Sequence, residues 1–240
     1  MQKSHIQIIA LLVFVFILAN KAYSQEVKEE SETRFLTTVG IGPSVPLSDY
    51  GNKDLNDPSS GLAKTGLNYQ ICFDYLIGES FGIGTKAFYF YNPQDPDVWL
   101  NNFLQNAAPN QFFKVTTNPW EFKGIAGGLY GTFELENNYA DVKFLIGYAS
   151  VKFPNVFIEL QEGTQKDELF IDARSKMVPT FELDFSLRIP MVNQFDALID
   201  FSFLNTEVQF EVFDRDRNFL YAQTTRVSVS NISLGCAYKF

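Results

Sequence analysis

The chain has 240 residues, 46% hydrophobic and 20% charged, so it is neither disordered nor of low complexity. It holds 19 basic side chains and 28 acidic ones, and that balance excludes nucleic acid, whose phosphates need a basic surface. The single histidine, His5, lies within the first 24 residues. The rest of the chain therefore has no Ser–His–Asp triad, no Cys–His pair and no His-based metal site.

Lys3 precedes an apolar run from Ile8 to Ala19, and Ala22-Tyr23-Ser24 then places small residues two apart before a polar stretch. This is the layout of a cleaved secretory signal at 1–24. The run of about 12 residues falls short of the roughly 20 that span a bilayer as a helix, which disfavours the alternative of a retained anchor. No cysteine sits near the cut to carry a lipid, and no other segment is long and apolar enough for a membrane helix. Beyond residue 24 the balance is 17 bases against 28 acids, a net charge of −11. Residues 25–33 read as a short periplasmic N-terminal segment, and 34–240 as one folded domain. Cys72 and Cys236 are too few for a disulfide scaffold. Strand parity points them to opposite faces, so two unpaired, packed thiols are expected.

From residue 35 the chain reads as strand after strand, without a helical period. Two-residue alternation marks strands at 35–42, 67–77, 81–91, 120–135 and 139–148, and more clearly at 181–189, 195–203 and 231–240. At 120–135 the parity is blurred by Gly124, Gly127, Gly128 and Gly131. Tight turns at 78–80, 136–138 and 191–194 alternate with long connections at about 46–66, 92–119, 149–178 and 204–230. Eight strands with short and long connections in turn predict an all-β, eight-stranded antiparallel up-and-down barrel with one plain and one elaborated rim.

Alternation alone leaves a soluble lipocalin-like barrel open beside a transmembrane one. The apolar faces of the last three strands are each nine residues long, as a tilted membrane strand requires. Tyr75, Tyr89, Tyr91, Trp120, Tyr130, Tyr139, Tyr148 and Tyr238 fall near strand ends, where an interfacial girdle would lie. The most informative feature is a parity change. The apolar residues are odd-numbered up to Phe203 but even-numbered at Val208, Phe210 and Val212. On the last strand they are even-numbered from Ile232 to Phe240, whereas Val227 and Val229 are odd. With the turn at Asp214-Arg215-Asp216-Arg217-Asn218, Phe203 falls opposite Ser230, so both strands exchange faces at one height. A strand passing from lipid into water does this; a soluble barrel has no reason to. A similar change runs from Phe144, Ile146 and Tyr148 to Val151 and Phe153.

The terminal strand Asn231-Ile232-Ser233-Leu234-Gly235-Cys236-Ala237-Tyr238-Lys239-Phe240 resembles the C-terminal signal of Gram-negative outer-membrane barrels. Val39-Gly40-Ile41-Gly42-Pro43 is similar to first strands in the same group. Over about residues 34–240 the chain resembles the small OmpA/OmpX-like, porin-family outer-membrane β-barrels. That resemblance implies short periplasmic turns, long extracellular loops, a place in the outer-membrane bilayer, and Tyr238 and Phe240 as a signal read by the barrel-assembly machinery during insertion. It also implies that the periplasmic peptidoglycan-binding domain of larger relatives is absent.

The known enzymatic themes on such barrels resemble His-dependent chemistry, so a non-enzymatic protein without cofactor or metal is expected. Asp74, Asp141, Glu182, Asp184, Asp196 and Asp200 fall on lumen-facing positions, with Lys86, Lys143, Arg188 and Lys239 as counterparts. Charges shut in a narrow lumen must pair, which favours a structural network over an Asp-dyad hydrolase. Asp214-Arg215-Asp216-Arg217 and Asp49-Tyr50-Gly51-Asn52-Lys53-Asp54 lack calcium-loop spacing and read as solvated turns. Trp99-Leu100-Asn101-Asn102-Phe103-Leu104 reads as a short amphipathic turn over the barrel mouth. Val208, Phe210, Val212, Val227 and Val229 should form an apolar extracellular core. Two functions remain open: a closed barrel with a surface structural or interaction role towards an extracellular protein, and a transporter or binder of a small apolar ligand under the loops.

Overall fold

The computed structural model describes residues 35–240 apart from 58, 106, 109–110, 163–164, 174 and 214–218. The signal at 1–24, the segment 25–33 and the turn at 214–218 thus lie outside the described residues. In chain order the elements are β1 Phe35–Leu47, α1 Ser48–Gly51, β2 Gly66–Leu76, β3 Phe81–Asn92, α2 Pro96–Gln105, β4 Gln111–Thr117, β5 Trp120–Leu135, β6 Asn138–Lys152, β7 Val156–Glu162, β8 Gln165–Ala173, β9 Lys176–Val192, β10 Phe195–Phe213 and β11 Phe219–Lys239. Eight of these strands, β11-β1-β2-β3-β5-β6-β9-β10, pair antiparallel in that order, and β10 pairs back on β11 to close the ring. A closed ring leaves none of these strands with a free edge over its shared length.

Period-two patterning is what makes the strands and sets their register. On β3, Gly82, Gly84, Lys86, Phe88, Phe90 and Asn92 are buried, whereas Phe81, Ile83, Thr85, Ala87 and Tyr89 are exposed. A slip of one residue would put Lys86 outside and Phe81 inside, so the pairing Cys72↔Lys86↔Ala126 is specified by side-chain chemistry. At one end the ring turns tightly. Glu136 and Asn193 take positive φ of 55° and 51° in two-residue connections, a conformation that Asn tolerates better than Glu. The glycines of β5 serve close packing: a Cβ on Gly124 would approach the Phe88 ring to 2.5 Å.

The other end departs from the expected long loops. Strands β1, β6, β9, β10 and β11 run on past the spans read from the sequence. Three more strands form a small antiparallel sheet in the order β8-β7-β4, joined to the ring where Val212 and Phe213 of β10 pair with Ala173 and Asp172 of β8. The expectation of no helix also fails. Pro96 stands at the first helical position, where its missing N–H costs nothing. Trp99 and Phe103 then lie one turn apart and pack with Phe113, Val115, Val156 and Ile158.

The interior is stacked in three tiers. Leu36, Tyr130 and Ala237, with Leu76 against them, form a small apolar floor at the turn end. Charged and polar side chains fill the middle. Above them lies a large aromatic and aliphatic cluster that includes Tyr50, Phe88, Phe90, Trp120, Phe122, Phe153 and Phe210.

Candidate functional site

The middle tier brings together every charged residue assigned to the lumen. Asp74, Lys86, Asp141, Lys143, Glu182, Asp184, Arg188, Asp196 and Asp200 are all buried. Lys86 Nζ donates to Glu182 at 2.6 Å and Asp184 at 3.0 Å, bridging β3 to β9 across the ring. Lys143 Nζ donates to Asp74 at 2.6 Å, joining β6 to β2. Arg188 is the hub: it engages both carboxylate oxygens of Asp141, reaches Asp196 at 3.2 Å and donates to Thr132 at 3.0 Å. Tyr130 adds an O–H donor to Asp141 at 3.0 Å. Lys239 meets Asp196 from the other side at 2.9 Å. Asp200 is held by neutral donors, Gln70 at 2.7 Å and Ser186 at 2.6 Å. The gap left by Gly84 belongs to this tier, since a Cβ there would stand 2.5 Å from an Asp74 carboxylate oxygen.

No strand turns over along its length; what changes is the character of its two faces. On β10 the buried positions are Asp196, Leu198, Asp200, Ser202, Leu204, Thr206, Val208 and Phe210. Opposite them Phe195, Phe201 and Phe203 are exposed, followed by exposed Glu207, Gln209 and Glu211. The inside goes from polar to apolar where the outside goes from apolar to polar. On β11 the same exchange falls between Asn231 and Val229, whose partners on β10 are Ser202 and Leu204. Phe203 pairs with Ser230, and just above them Asn205 donates to Ser228 at 2.8 Å on the outer face. Below that height the belt is apolar around the ring: Ile125, Ile146 and Leu234 are 68%, 62% and 63% exposed. A soluble lipocalin-like barrel has the inverse arrangement, with apolar residues inside and charges outside.

The upper tier is a filled core. Val208, Val227 and Val229 are fully buried and Phe210 nearly so; the side chain of Val212 lies outside the described residues. Phe210 meets Phe153 at 4.4 Å and Trp120 at 5.3 Å between ring centroids, and Phe90 stacks on Phe122 at 4.5 Å. Tyr50 corrects the reading of 49–54 as a solvated turn. It is fully buried, packs edge-on against Trp120 at 5.2 Å and donates its O–H to Asn92 at 3.1 Å. Burial pushes its phenol well above the ordinary value, so it stays a neutral donor. Three assigned girdle residues also turn inward, and the ring of one of them, Tyr139, lies 4.8 Å from the Arg188 guanidinium. Trp120 donates from Nε1 to the Gly61 carbonyl at 2.9 Å, and Tyr130 sits among the charges. The thiols are unpaired, with Cys72 buried, but Cys236 is exposed on the outer face rather than packed. Phe240 is exposed; its N–H donates to the Phe35 carbonyl at 3.0 Å, and its ring meets Tyr238 edge-on at 4.6 Å.

A cavity of about 200 Å³ opens between the cap and the small sheet. Its walls come from the connection after α1, from Gln94 after β3, from Trp99 of α2 and from Gln223 of β11. Nearby, Asp95 anchors the connections by accepting from Lys64 at 2.8 Å and Lys53 at 2.9 Å. Burial alone would raise its carboxyl; the two ammonium groups outweigh this and hold it below the usual range.

No protein-family model matches the chain, and no curated protein sequence does. Structures of similar shape include Neisserial surface protein A (10% identity, 86% of this chain and 97% of that chain, TM-score 0.45), a major outer membrane protein from Thermus thermophilus (10%, 86% and 99%, 0.47), and OprG from Pseudomonas aeruginosa (12%, 90% and 99%, 0.45).

Proposed function

We propose that the chain is a closed, non-enzymatic outer-membrane β-barrel that acts at the cell surface through the sheet and cap above the bilayer. The observation that carries this reading is the coincident exchange at Ser202/Leu204 and Asn231/Val229, where inner and outer faces trade polarity at one height. The apolar belt below that height meets lipid, and the polar faces above it meet water. The turn rim is then periplasmic and the elaborated rim extracellular. The apolar stretch near the N-terminus serves export and is removed after Ser24. Phe240 projects outward, adding little to the core; its role is recognition by the assembly machinery, so its removal slows insertion more than it lowers stability.

An eight-stranded barrel leaves an interior that side chains nearly fill. Here the charged tier lies between an apolar floor and an aromatic cap, which supports a barrel closed to ions. An acid-dyad hydrolase is disfavoured because Asp141, Asp196 and Asp74 are all engaged by cations. The apolar cap is packed with its own rings, which favours a structural core there over a pocket for an apolar ligand.

Two measurements test the reading. In a Cys72→Ser, Cys236→Ser background in liposomes, a cysteine at 207 or 209 should react with a membrane-impermeant maleimide, while one at 201 or 203 should not. Equal labelling at all four positions places no membrane boundary at Phe203 and overturns the reading. In planar bilayers the protein should show no steady conductance, and a large stable open pore defeats the closed lumen.

A further inference from the structure

The small sheet β8-β7-β4 ends on β4, which pairs with β7 on one side and, among the described residues, with no strand on the other. One hydrogen bond decides which of its backbone groups are left over. The Asn118 N–H donates to the Asn155 carbonyl at 3.1 Å, one step beyond the pair Thr117↔Val156. Bonded and non-bonded pairs alternate along an antiparallel ladder, so Phe112, Lys114 and Thr116 bond to β7. Gln111, Phe113, Val115 and Thr117 turn their backbone N–H and C=O groups away from it. Gln111 agrees with this parity: its N–H donates to the Ala108 carbonyl at 3.0 Å. The N–H and C=O groups of Phe113 and Val115 have no backbone partner among the described residues. Two usual guards of an open edge are absent, since Gln111–Thr117 holds no proline and its register with β7 has no bulge.

We propose that the free side of β4 takes up one extended segment of another protein, net basic and apolar along one face, as a further strand of the small sheet. This names the partner class for the surface role proposed above, and it rests on the small sheet being extracellular. A donor and an acceptor that recur together every two residues, about 7 Å apart, are matched by a polypeptide backbone and by no small ligand. The two faces of β4 set the side chains. Phe113 stacks on Phe103 of α2 at 5.4 Å, and Val115 packs in the same cluster, so residues added beside them meet apolar surface. On the other face Phe112 is 70% exposed and offers its ring to an arginine or an aromatic residue of the added strand. Charge selects between partners. Residues 96–117 and 156–173 hold six acidic side chains and two basic ones, a net charge of −4. Of the two bases, Lys114 is already engaged by Glu159 at 3.6 Å. A basic strand is attracted to this surface, whereas a second copy of the chain brings the same −4 and is repelled.

The experiment follows the backbone ¹⁵N–¹H signals of β4 in the full chain in detergent micelles. Before any peptide is added, the amides of Phe113 and Val115 should exchange with solvent faster than those of Phe112, Lys114 and Thr116. The probe is a short capped peptide of alternating valine and threonine with an arginine at each end. It should shift the Phe113 and Val115 amides saturably at millimolar concentration and slow their exchange. Methylating the amide nitrogens of its valines or of its threonines should abolish the shift in one case and spare it in the other, because only one row faces β4. Val115→Pro removes one outward N–H and leaves the β7 ladder whole. It should weaken binding by about tenfold, the effect of one unmade hydrogen bond, with the remaining spectrum unchanged. No shift with the arginine peptide, or equal binding of the same peptide with glutamate ends, overturns the proposal. A shift that survives both methylations shows contact through side chains alone and overturns it as well. So does protection of Phe113 and Val115 that grows with protein concentration alone, since the occupant is then a second copy. Micelles take the bilayer out of the measurement. A failed titration therefore leaves the maleimide labelling at 207 and 209 standing, and failed labelling leaves the edge of β4 standing.

Discussion

The middle tier and the aromatic cap are built from the same strands and the same inward-facing positions, yet they solve opposite problems. In the middle tier the outer surface is apolar and exposed, and the inside is held by Lys86, Lys143, Arg188 and their carboxylates. In the cap the outer surface is polar and the inside is packed with Trp120, Phe122, Phe153 and Phe210. The hydrophobic effect operates only where water is the alternative environment. Beside lipid it gives no reason to prefer an apolar interior, so hydrogen bonds and ion pairs there set the register and exclude other arrangements. Where the strands enter water, the ordinary drive to bury apolar area returns, and each fully buried aromatic or aliphatic side chain contributes about 1.5–3 kcal/mol.

The contrast is broken most severely at Arg188. Arg188→Ala leaves Asp141 buried without its cation and deprives Asp196 of one of two, and should cost about 3–5 kcal/mol, read by urea unfolding in lipid vesicles. A double variant, Lys143→Met with Asp74→Leu, removes a whole pair and should cost far less than the Lys143→Met single change. Similar losses in both would mean that the pairs themselves stabilise the tier.

Phe210→Ala tests the cap. It removes a ring packed against Trp120 and Phe153 and should cost about 3 kcal/mol, with Phe210→Leu about 1 kcal/mol. If hydrogen exchange then quickens in the cap while the amides of the charged tier stay protected, the two regions are separate cooperative units. Uniform loss of protection makes them one.

The outer faces give a smaller and more local contrast. Phe201→Arg should cost about 2 kcal/mol in a bilayer because a charge then faces lipid. Glu207→Arg, only six residues along the same face, should change stability by less than about 0.5 kcal/mol. Equal costs would erase the boundary at Phe203.

The smallest effect is at Asp95. Its folded-state carboxyl is held below the ordinary value, so the stability it adds is fully present above the unfolded pKa of about 3.9 and is lost as pH falls through the folded value. Lys53 and Lys64 are largely solvent-exposed, which limits the contribution to under about 1 kcal/mol. Asp95→Asn should lower the neutral plateau by that amount and flatten the acid limb between about pH 5 and 2, leaving the stability at the acid end unchanged. An unchanged acid limb would assign the effect to other carboxylates.

The ring is legible in the sequence because each strand has one face towards lipid and one towards the interior, and a period of two survives in the residues themselves. The charged tier follows from parity alone. Parity fails on β5, where Gly124, which makes room for Phe88, and three further glycines erase the alternation, so Trp120 and Tyr130 read as interfacial when they face inward. The small sheet escapes a sequence reading in part because the half-buried residues of β4 do not mark a single apolar face. The helical spacing of Trp99 and Phe103 is visible, but four residues make only a turn. The cavity has no local signal. Ser60 lies on the connection after α1, and Gln94 and Trp99 on the one after β3, and only tertiary packing brings these residues to one space.

The pairing of Leu36 with Lys239 has a temporal consequence. These partners are separated by about 200 residues, and bringing such distant segments together costs about 5 kcal/mol of chain entropy before any contact between them is made. Mean sequence separation of this kind slows folding, and the ring offers no partial closure in which every backbone amide is satisfied. Until β11 meets β1, an open sheet presents two unpaired edges of 13 and 21 residues, β1 and β11, each a template for wrong partners. The chain therefore commits late and all at once, and its safe transit depends on how long those two edges can be kept apart from other chains.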